Sequence, residues 1–143
     1  MYTFETKLRV RYSETDQMGY VYYGNYASYF EVARVDMLRS IDLSYKAMEE
    51  SGIMMPVLEL KSKYIKPAFY DDLLTVKVII REIPQTRILF NYEITNEAGL
   101  LIHLGETTLV FVNMETKRPC NCPEILLSKT PMKSLISQLA GNH

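Results

Sequence analysis

The chain has 143 residues, 48% of them hydrophobic, which is enough to bury one core and too few for two ordinary domains. With 16 basic against 17 acidic residues its formal charge is −1, so it carries no electrostatic footprint for a nucleic-acid backbone or an anionic membrane surface. The expectation is one domain, 1–143, that handles a small ligand.

Met1 to Leu8 lack a charged start, an apolar stretch and a small-residue cleavage site. No later apolar run approaches the roughly 18 residues a membrane span needs. A soluble, cytoplasmic protein is expected. Residues 4–12 alternate loosely and read as a strand, followed by a Gly- and Tyr-rich loop over 16–24. The period then changes. Over 25–41, Tyr26, Tyr29, Phe30, Ala33, Met37 and Ile41 recur at steps of three and four, which places them on one face of a long helix. Ser44 can cap a short second helix ending at Glu50, and Gly52 can close it in the left-handed conformation.

Four strands follow, over 57–65, 74–81, 87–95 and 101–112. Leu74, Val76, Val78 and Ile80 face one way and Thr75, Lys77 and Arg81 the other, so one face wants cover. Asn96-Glu97-Ala98-Gly99 reads as a hairpin turn, and 124–139 as one or two closing helices. The order of strand, long helix and consecutive antiparallel strands predicts an α+β domain whose sheet wraps a single helix. Cys120 and Cys122, one residue apart, suit neither a relaxed disulfide nor a metal knuckle, and His103 and His143 are the only histidines. Reduced thiols and no metal or other cofactor are expected. GxSxG, Walker A, HExxH and GxGxxG patterns are absent from the sequence.

The chemistry concentrates in 10–34. Asp16 follows a strand, Gly19 permits a tight turn, and Gly24-Asn25 leads into the long helix. A helix start leaves backbone N–H groups unpaired and carries roughly half an elementary charge, so it can hold a developing oxyanion. A carboxylate facing it supplies the other half of acyl transfer, a nucleophile or base beside the carbonyl carbon. Taken alone, Asp16 also fits an Asx turn, and the tyrosines 20, 22, 23, 26 and 29 fit either helix packing or a pocket lining. Glu31 and Arg34 read as an intrahelical ion pair, and His103 as a packed or hydrogen-bonded strand histidine.

The run from Asp16 through Met18-Gly19-Tyr20-Val21 to Gly24-Asn25-Tyr26, with Glu31 and Ala33-Arg34, resembles the signature of hotdog-fold thioesterases of the 4-hydroxybenzoyl-CoA and Tol-Pal-associated acyl-CoA branch. Pro56-Val57, Tyr64, Tyr70-Asp71-Asp72-Leu73-Leu74-Thr75 and the stretch 105–112 follow in the family's order, so the resemblance spans about 5–115. It implies a hotdog fold and an acyl-CoA thioesterase in which Asp16 is the catalytic carboxylate, the Tyr23 backbone N–H polarises the thioester carbonyl and Gly19 shapes the turn. Some relatives have His where Tyr23 stands. Asn25 and Tyr26 would hold the loop, with Tyr22, Gly24 and Asn25 beside the substrate. It further implies a homodimer or homotetramer built on sheet edges, in which Leu58, Leu60, Lys61 and Ser62 of a neighbouring subunit line the acyl pocket. Where relatives hold CoA phosphates with a basic cluster, this chain has Ile83-Pro84-Gln85-Thr86 flanked by Arg81 and Arg87, so an acyl carrier protein thioester is an alternative substrate. Lys61, Lys63 and Lys66 offer another phosphate contact. Two rivals are a non-catalytic hotdog module that senses acyl thioesters and an interaction protein built on an open sheet edge.

Overall fold

A computed structural model describes residues 1–129 together with Met132 and Leu135. Strand β1 (Tyr2–Arg9) leads through a 3-10 turn at Tyr12–Glu14 and a loop to a second 3-10 turn, Tyr23–Asn25, which runs into helix α1 (Tyr26–Ser40). Helix α2 (Tyr45–Glu50) and strands β2 (Ile53–Met54), β3 (Val57–Tyr64), β4 (Leu73–Ile80), β5 (Arg87–Thr95), β6 (Leu101–Val110) and β7 (Val112–Asn113) follow, then α3 (Glu124–Leu127). Five strands form one antiparallel sheet in the order β1-β4-β5-β6-β3, while β2 and β7 pair separately.

The periodicities explain the packing. Along α1, Tyr26, Tyr29, Phe30, Ala33, Arg34, Met37 and Leu38 are buried, a stripe at three- and four-residue steps. It meets the sheet face made by Leu74, Val76, Val78 and Ile80 of β4, Ile88, Phe90, Tyr92 and Ile94 of β5, and Ile102 and Leu109 of β6, each at most 1% exposed. Each such side chain contributes on the order of 1.5–3 kcal/mol when fully buried. Ser44 caps α2 by accepting the Ala47 amide at 3.0 Å, and Gly52 closes it at φ +88°.

Several expectations change. The first strand ends at Arg9, because the Arg11 amide turns to the Glu14 carboxylate and starts a 3-10 turn. Expected strand 101–112 divides after Val110, where the Phe111 amide leaves the ladder for the Thr86 carbonyl and Val112 joins β2. Strand β4 begins and ends one residue earlier than expected, and Ile79, on the sheet face away from Val78 and Ile80, is also buried. Glu31 and Arg34 are not an ion pair. Arg34 is buried, and its guanidinium donates to the hydroxyls of Tyr45 at 3.2 Å, Tyr92 at 3.0 Å and Thr107 at 3.5 Å. Of the expected closing helices, α3 is seen at its start, and the segment from 130 lies outside the described residues apart from buried Met132 and Leu135. Among the described residues no helix is long and apolar enough to cross a membrane.

Candidate active site

The Asp16 loop is a closed hairpin held by its own backbone. Thr15 and Val21 form a bridge, the Asp16 amide donates to the Tyr20 carbonyl at 2.8 Å, and the Gly19 amide donates back to the Asp16 carbonyl at 3.0 Å. Gly19 sits at φ +81°, where a side chain is strained. Within this turn Asp16 Oδ1 accepts the amides of Met18 at 2.9 Å and Tyr20 at 3.2 Å. One carboxylate oxygen therefore fixes the loop as an Asx turn, and Oδ2 accepts no hydrogen bond from the described residues.

The helix start is tied to this loop from the other side. Asn25 does not cap α1, because its backbone is already helical and its side chain turns to the Glu14 carbonyl at 2.8 Å. That carbonyl also accepts the Tyr22 amide, and the Glu14 carboxylate accepts the Tyr29 hydroxyl at 3.0 Å. Burial, then the adjacent Glu14, raise the Tyr29 phenol well above its ordinary value. Glu14 was missed in the sequence, where an isolated acidic residue outside the motif carries no signal. The Asn25 amide closes on the Tyr22 carbonyl, so Tyr23 opens the 3-10 turn, where amides have no intrahelical acceptor.

Asp16 and Tyr23 line one cleft of about 300 Å³, together with Met18, Tyr20, Tyr26, Tyr64 and Lys66. Tyr64 donates its hydroxyl to the Tyr23 carbonyl at 3.2 Å, fixing the turn from the sheet side. Tyr26 packs edge-on against Tyr64, and burial raises its phenol to about 12, so it stays neutral. Tyr22 packs against Tyr23 with ring centroids 4.5 Å apart and planes tilted by 38°, its ring folded over Gly24, and remains 46% exposed.

The other expected substrate residues lie on and beyond β3. Leu58, Leu60 and Lys61 are exposed on this strand, which is the end strand of the sheet, and Ser62 is half-buried beside them. Arg81 hydrogen-bonds Asn91 and lines, with Lys61 and Glu106, a separate cleft of about 440 Å³. Arg87 is exposed at the start of β5. Neither arginine lines the Asp16 cleft; among the described residues the cation that lines it is Lys66. Among the described residues no group of three His, Cys, Asp or Glu side chains could hold a metal. Cys120 and Cys122 are free thiols, and burial raises that of Cys122 to about 12.

Behind the cleft lies His103 of β6, fully buried and stacked on Tyr26 at 3.9 Å. Burial lowers its imidazole from 6.5 to about 4. The unfolded chain therefore takes up a proton between pH 6.5 and 4 that the folded protein refuses, and stability present above pH 6.5 is lost as pH falls through that window. Its contribution is at most about 1.4 kcal/mol per pH unit. His103→Phe, which keeps a stacked ring, is expected to flatten the slope of unfolding free energy between pH 6.5 and 4 in urea titrations; an unchanged slope would place the acid sensitivity elsewhere.

The sequence profile of the thioesterase-like superfamily matches residues 10–130. The acyl-CoA thioester hydrolase YbgC of Escherichia coli O6:H1 is 29% identical over 126 residues, covering 88% of this chain and 94% of YbgC. A DHNA-CoA thioesterase from Staphylococcus aureus superimposes with a TM-score of 0.83 at 36% identity, over 99% of this chain and 93% of that one. A hypothetical protein, TT1821, from Thermus thermophilus does so with 0.83 at 33% identity, over 94% and 98%. With a long helix on an antiparallel sheet and this match across the Asp16 loop, the chain belongs to the thioesterase-like superfamily and is a thioester hydrolase with the hotdog fold.

Proposed function

We propose that the protein hydrolyses an aromatic acyl-CoA, with Asp16 as nucleophile or general base and the Tyr23 amide at the helix start as the oxyanion donor. The observation that carries this reading is the shared cleft: a carboxylate with one unengaged oxygen and the first amide of the turn into α1 line the same space. As the thioester carbonyl carbon becomes tetrahedral, its oxygen gains charge that the amide and the helix dipole stabilise. The thiolate leaves without strong need for a general acid. An aromatic acyl group suits walls made by Tyr20, Tyr23, Tyr26 and Tyr64, because offset and edge-on ring contacts add to area burial. The Staphylococcus aureus protein named a DHNA-CoA thioesterase, at 36% identity, supports the same substrate class.

The assembly proposed is a homodimer paired along β3. That strand ends the sheet, runs eight residues and exposes Val57, Leu58, Leu60 and Tyr64. A long apolar edge of this kind is one that a soluble chain covers.

Thiol release from benzoyl-, 4-hydroxybenzoyl-, acetyl- and palmitoyl-CoA by the purified protein tests the reading. Aromatic thioesters are expected to turn over with the highest kcat/KM. Tight binding with no thiol release from any of them would replace hydrolysis with sensing, and exclusive turnover of palmitoyl-CoA would overturn the aromatic assignment.

A further inference from the structure

Glu14 stands two residues before Asp16 and does not line its cleft, yet donors from three segments converge on it. Its backbone carbonyl accepts the Tyr22 amide at 2.9 Å and the Asn25 side-chain amide at 2.8 Å, from the two ends of the 3-10 turn that carries Tyr23. Its carboxylate Oε1 accepts the Arg11 amide at 2.8 Å and, from the first turn of α1, the Tyr29 hydroxyl at 3.0 Å. Each of these two oxygens therefore uses both of its lone pairs. The Glu14 side chain is 15% exposed, whereas Arg11, whose guanidinium lies 3.4 Å from Oε2, is 80% exposed and adds little.

These bonds join the two halves of the site. The Tyr22 amide on the Glu14 carbonyl closes the base of the hairpin that continues through the Thr15–Val21 bridge to the Asp16–Tyr20 bond, so Asp16 lies just beyond this base on one side. Tyr23 lies next to it on the other. The Tyr29 hydroxyl holds the Glu14 side chain, and with it the hairpin base, against α1. Burial and the adjacent carboxylate raise the Tyr29 phenol, so it keeps its proton and stays a donor. A pair of apolar side chains would fill this place without desolvating a carboxylate, but hydrogen bonds fix direction as well as contact. Direction matters here, because a misplacement of about 1 Å between reacting groups can cost on the order of 10²-fold in rate.

We infer that Glu14 is a positioning residue for thioester hydrolysis: through its carbonyl and its bond to Tyr29 it holds Asp16 and the Tyr23 amide in the relation that lets both act on one thioester carbonyl. This deepens the thioesterase reading and rests on it. Glu14 touches no substrate, so its loss slows the chemical step and leaves the binding of substrate in place.

Two measurements on the intact protein test this: thiol release from whichever of the four acyl-CoAs turns over fastest, and hydrogen exchange of the Tyr22 amide. Glu14→Met, which keeps an unbranched side chain and removes the acceptors, is expected to lower kcat by about 10- to 100-fold with KM little changed. Tyr29→Phe keeps the ring, stays folded if Glu14→Met does not, and is expected to lower kcat about tenfold. The double variant goes no lower than Glu14→Met, because both remove the same bond. Glu14→Gln, whose amide oxygen can accept the same two donors, is expected to stay within about threefold of wild type. In Glu14→Met and Tyr29→Phe the Tyr22 amide should exchange at least about tenfold faster, with the amides of β4 and β5 unchanged. An unchanged kcat in the folded variants, or unchanged Tyr22 exchange, overturns the inference and leaves the thioesterase reading standing. A loss in Glu14→Gln as large as in Glu14→Met also overturns it, since the charge would then act in the chemistry itself. A wild type that releases no thiol, with Tyr22 exchange still dependent on Glu14, overturns the hydrolase reading and keeps Glu14 as the residue that fixes hairpin and turn together.

Discussion

Asp16→Asn is expected to lower kcat/KM for an aromatic acyl-CoA by about 10²- to 10⁴-fold while the protein stays folded. The separation of effects follows from the two oxygens. Asp16 Oδ1 accepts the Met18 and Tyr20 amides, and an asparagine carbonyl in the same place can accept both. The loop therefore survives, with bonds weakened only by loss of the charge. What disappears is the basic, nucleophilic oxygen. Asp16→Ala removes both functions, so it should match the loss of rate and also lower the melting temperature, since two amides of the turn lose their acceptor at about 1 kcal/mol each. Thiol release and thermal melts on the three proteins decide the matter. If Asp16→Asn keeps the wild-type rate, Asp16 is an Asx-turn residue and the base lies elsewhere in the cleft. A single turnover in heavy-oxygen water adds a one-way test: label recovered in the Asp16 side chain marks direct attack, with water opening the mixed anhydride at the Asp16 carboxyl carbon, whereas label confined to the product acid marks water attacking the acyl carbon, with or without an anhydride.

The legibility of this chain in its sequence followed the range of each signal. Helix α1 and the covered sheet face were readable because Tyr26, Phe30, Ala33 and Met37 and then Leu74, Val76, Val78 and Ile80 repeat at the periods of their elements. The Asp16 hairpin was readable as a loop because Gly19 marks a positive-φ turn. Arg34 was misread as a surface partner of Glu31, because three-residue spacing says nothing of what stands across the core; the hydroxyls of Tyr92 and Thr107 come from 58 and 73 residues away. Glu14 was invisible for the same reason, being recruited by Asn25 and Tyr29 through contacts that only the fold creates. The His103–Ser62 pair spans 41 residues and is set by β3–β6 register, which strand periodicity does not reveal. The basic residues show the remaining limit: Lys66 reaches the Asp16 cleft, whereas Arg81 lines another, because chain proximity to a family position does not fix where a side chain ends up.

The same long-range logic gives the largest stability effect, at Gly105. This residue lies in β6 opposite Ser62 on one side and Tyr92 on the other. The Phe30 ring of α1 rests directly on it, stacked on Tyr92 at 4.3 Å, and a Cβ at Gly105 would lie 2.1 Å from Phe30 Cζ. Gly→Ala within a strand ordinarily helps slightly, by limiting the unfolded chain. Here it drives a methyl group into a fully buried ring, and the ring or the helix must shift. Gly105→Ala is expected to destabilise the fold by about 2–4 kcal/mol, a fall in melting temperature of roughly 5–12 °C for a chain of this size. Phe30→Leu alone also destabilises, by leaving a cavity beside Tyr92. Combined with Gly105→Ala it should restore part of the loss, because the shorter side chain vacates the space the methyl group needs. Melts of the two single variants and the double test this directly: additive losses would mean that the strand, not the ring, fails to accept the methyl group. Phe30 also meets His103, at a ring separation of 5.7 Å, and His103 stacks on Tyr26. A glycine in β6 thus sets how closely α1 lies on the sheet, and through Phe30, His103 and Tyr26 it sets the wall of the cleft in which Asp16 sits.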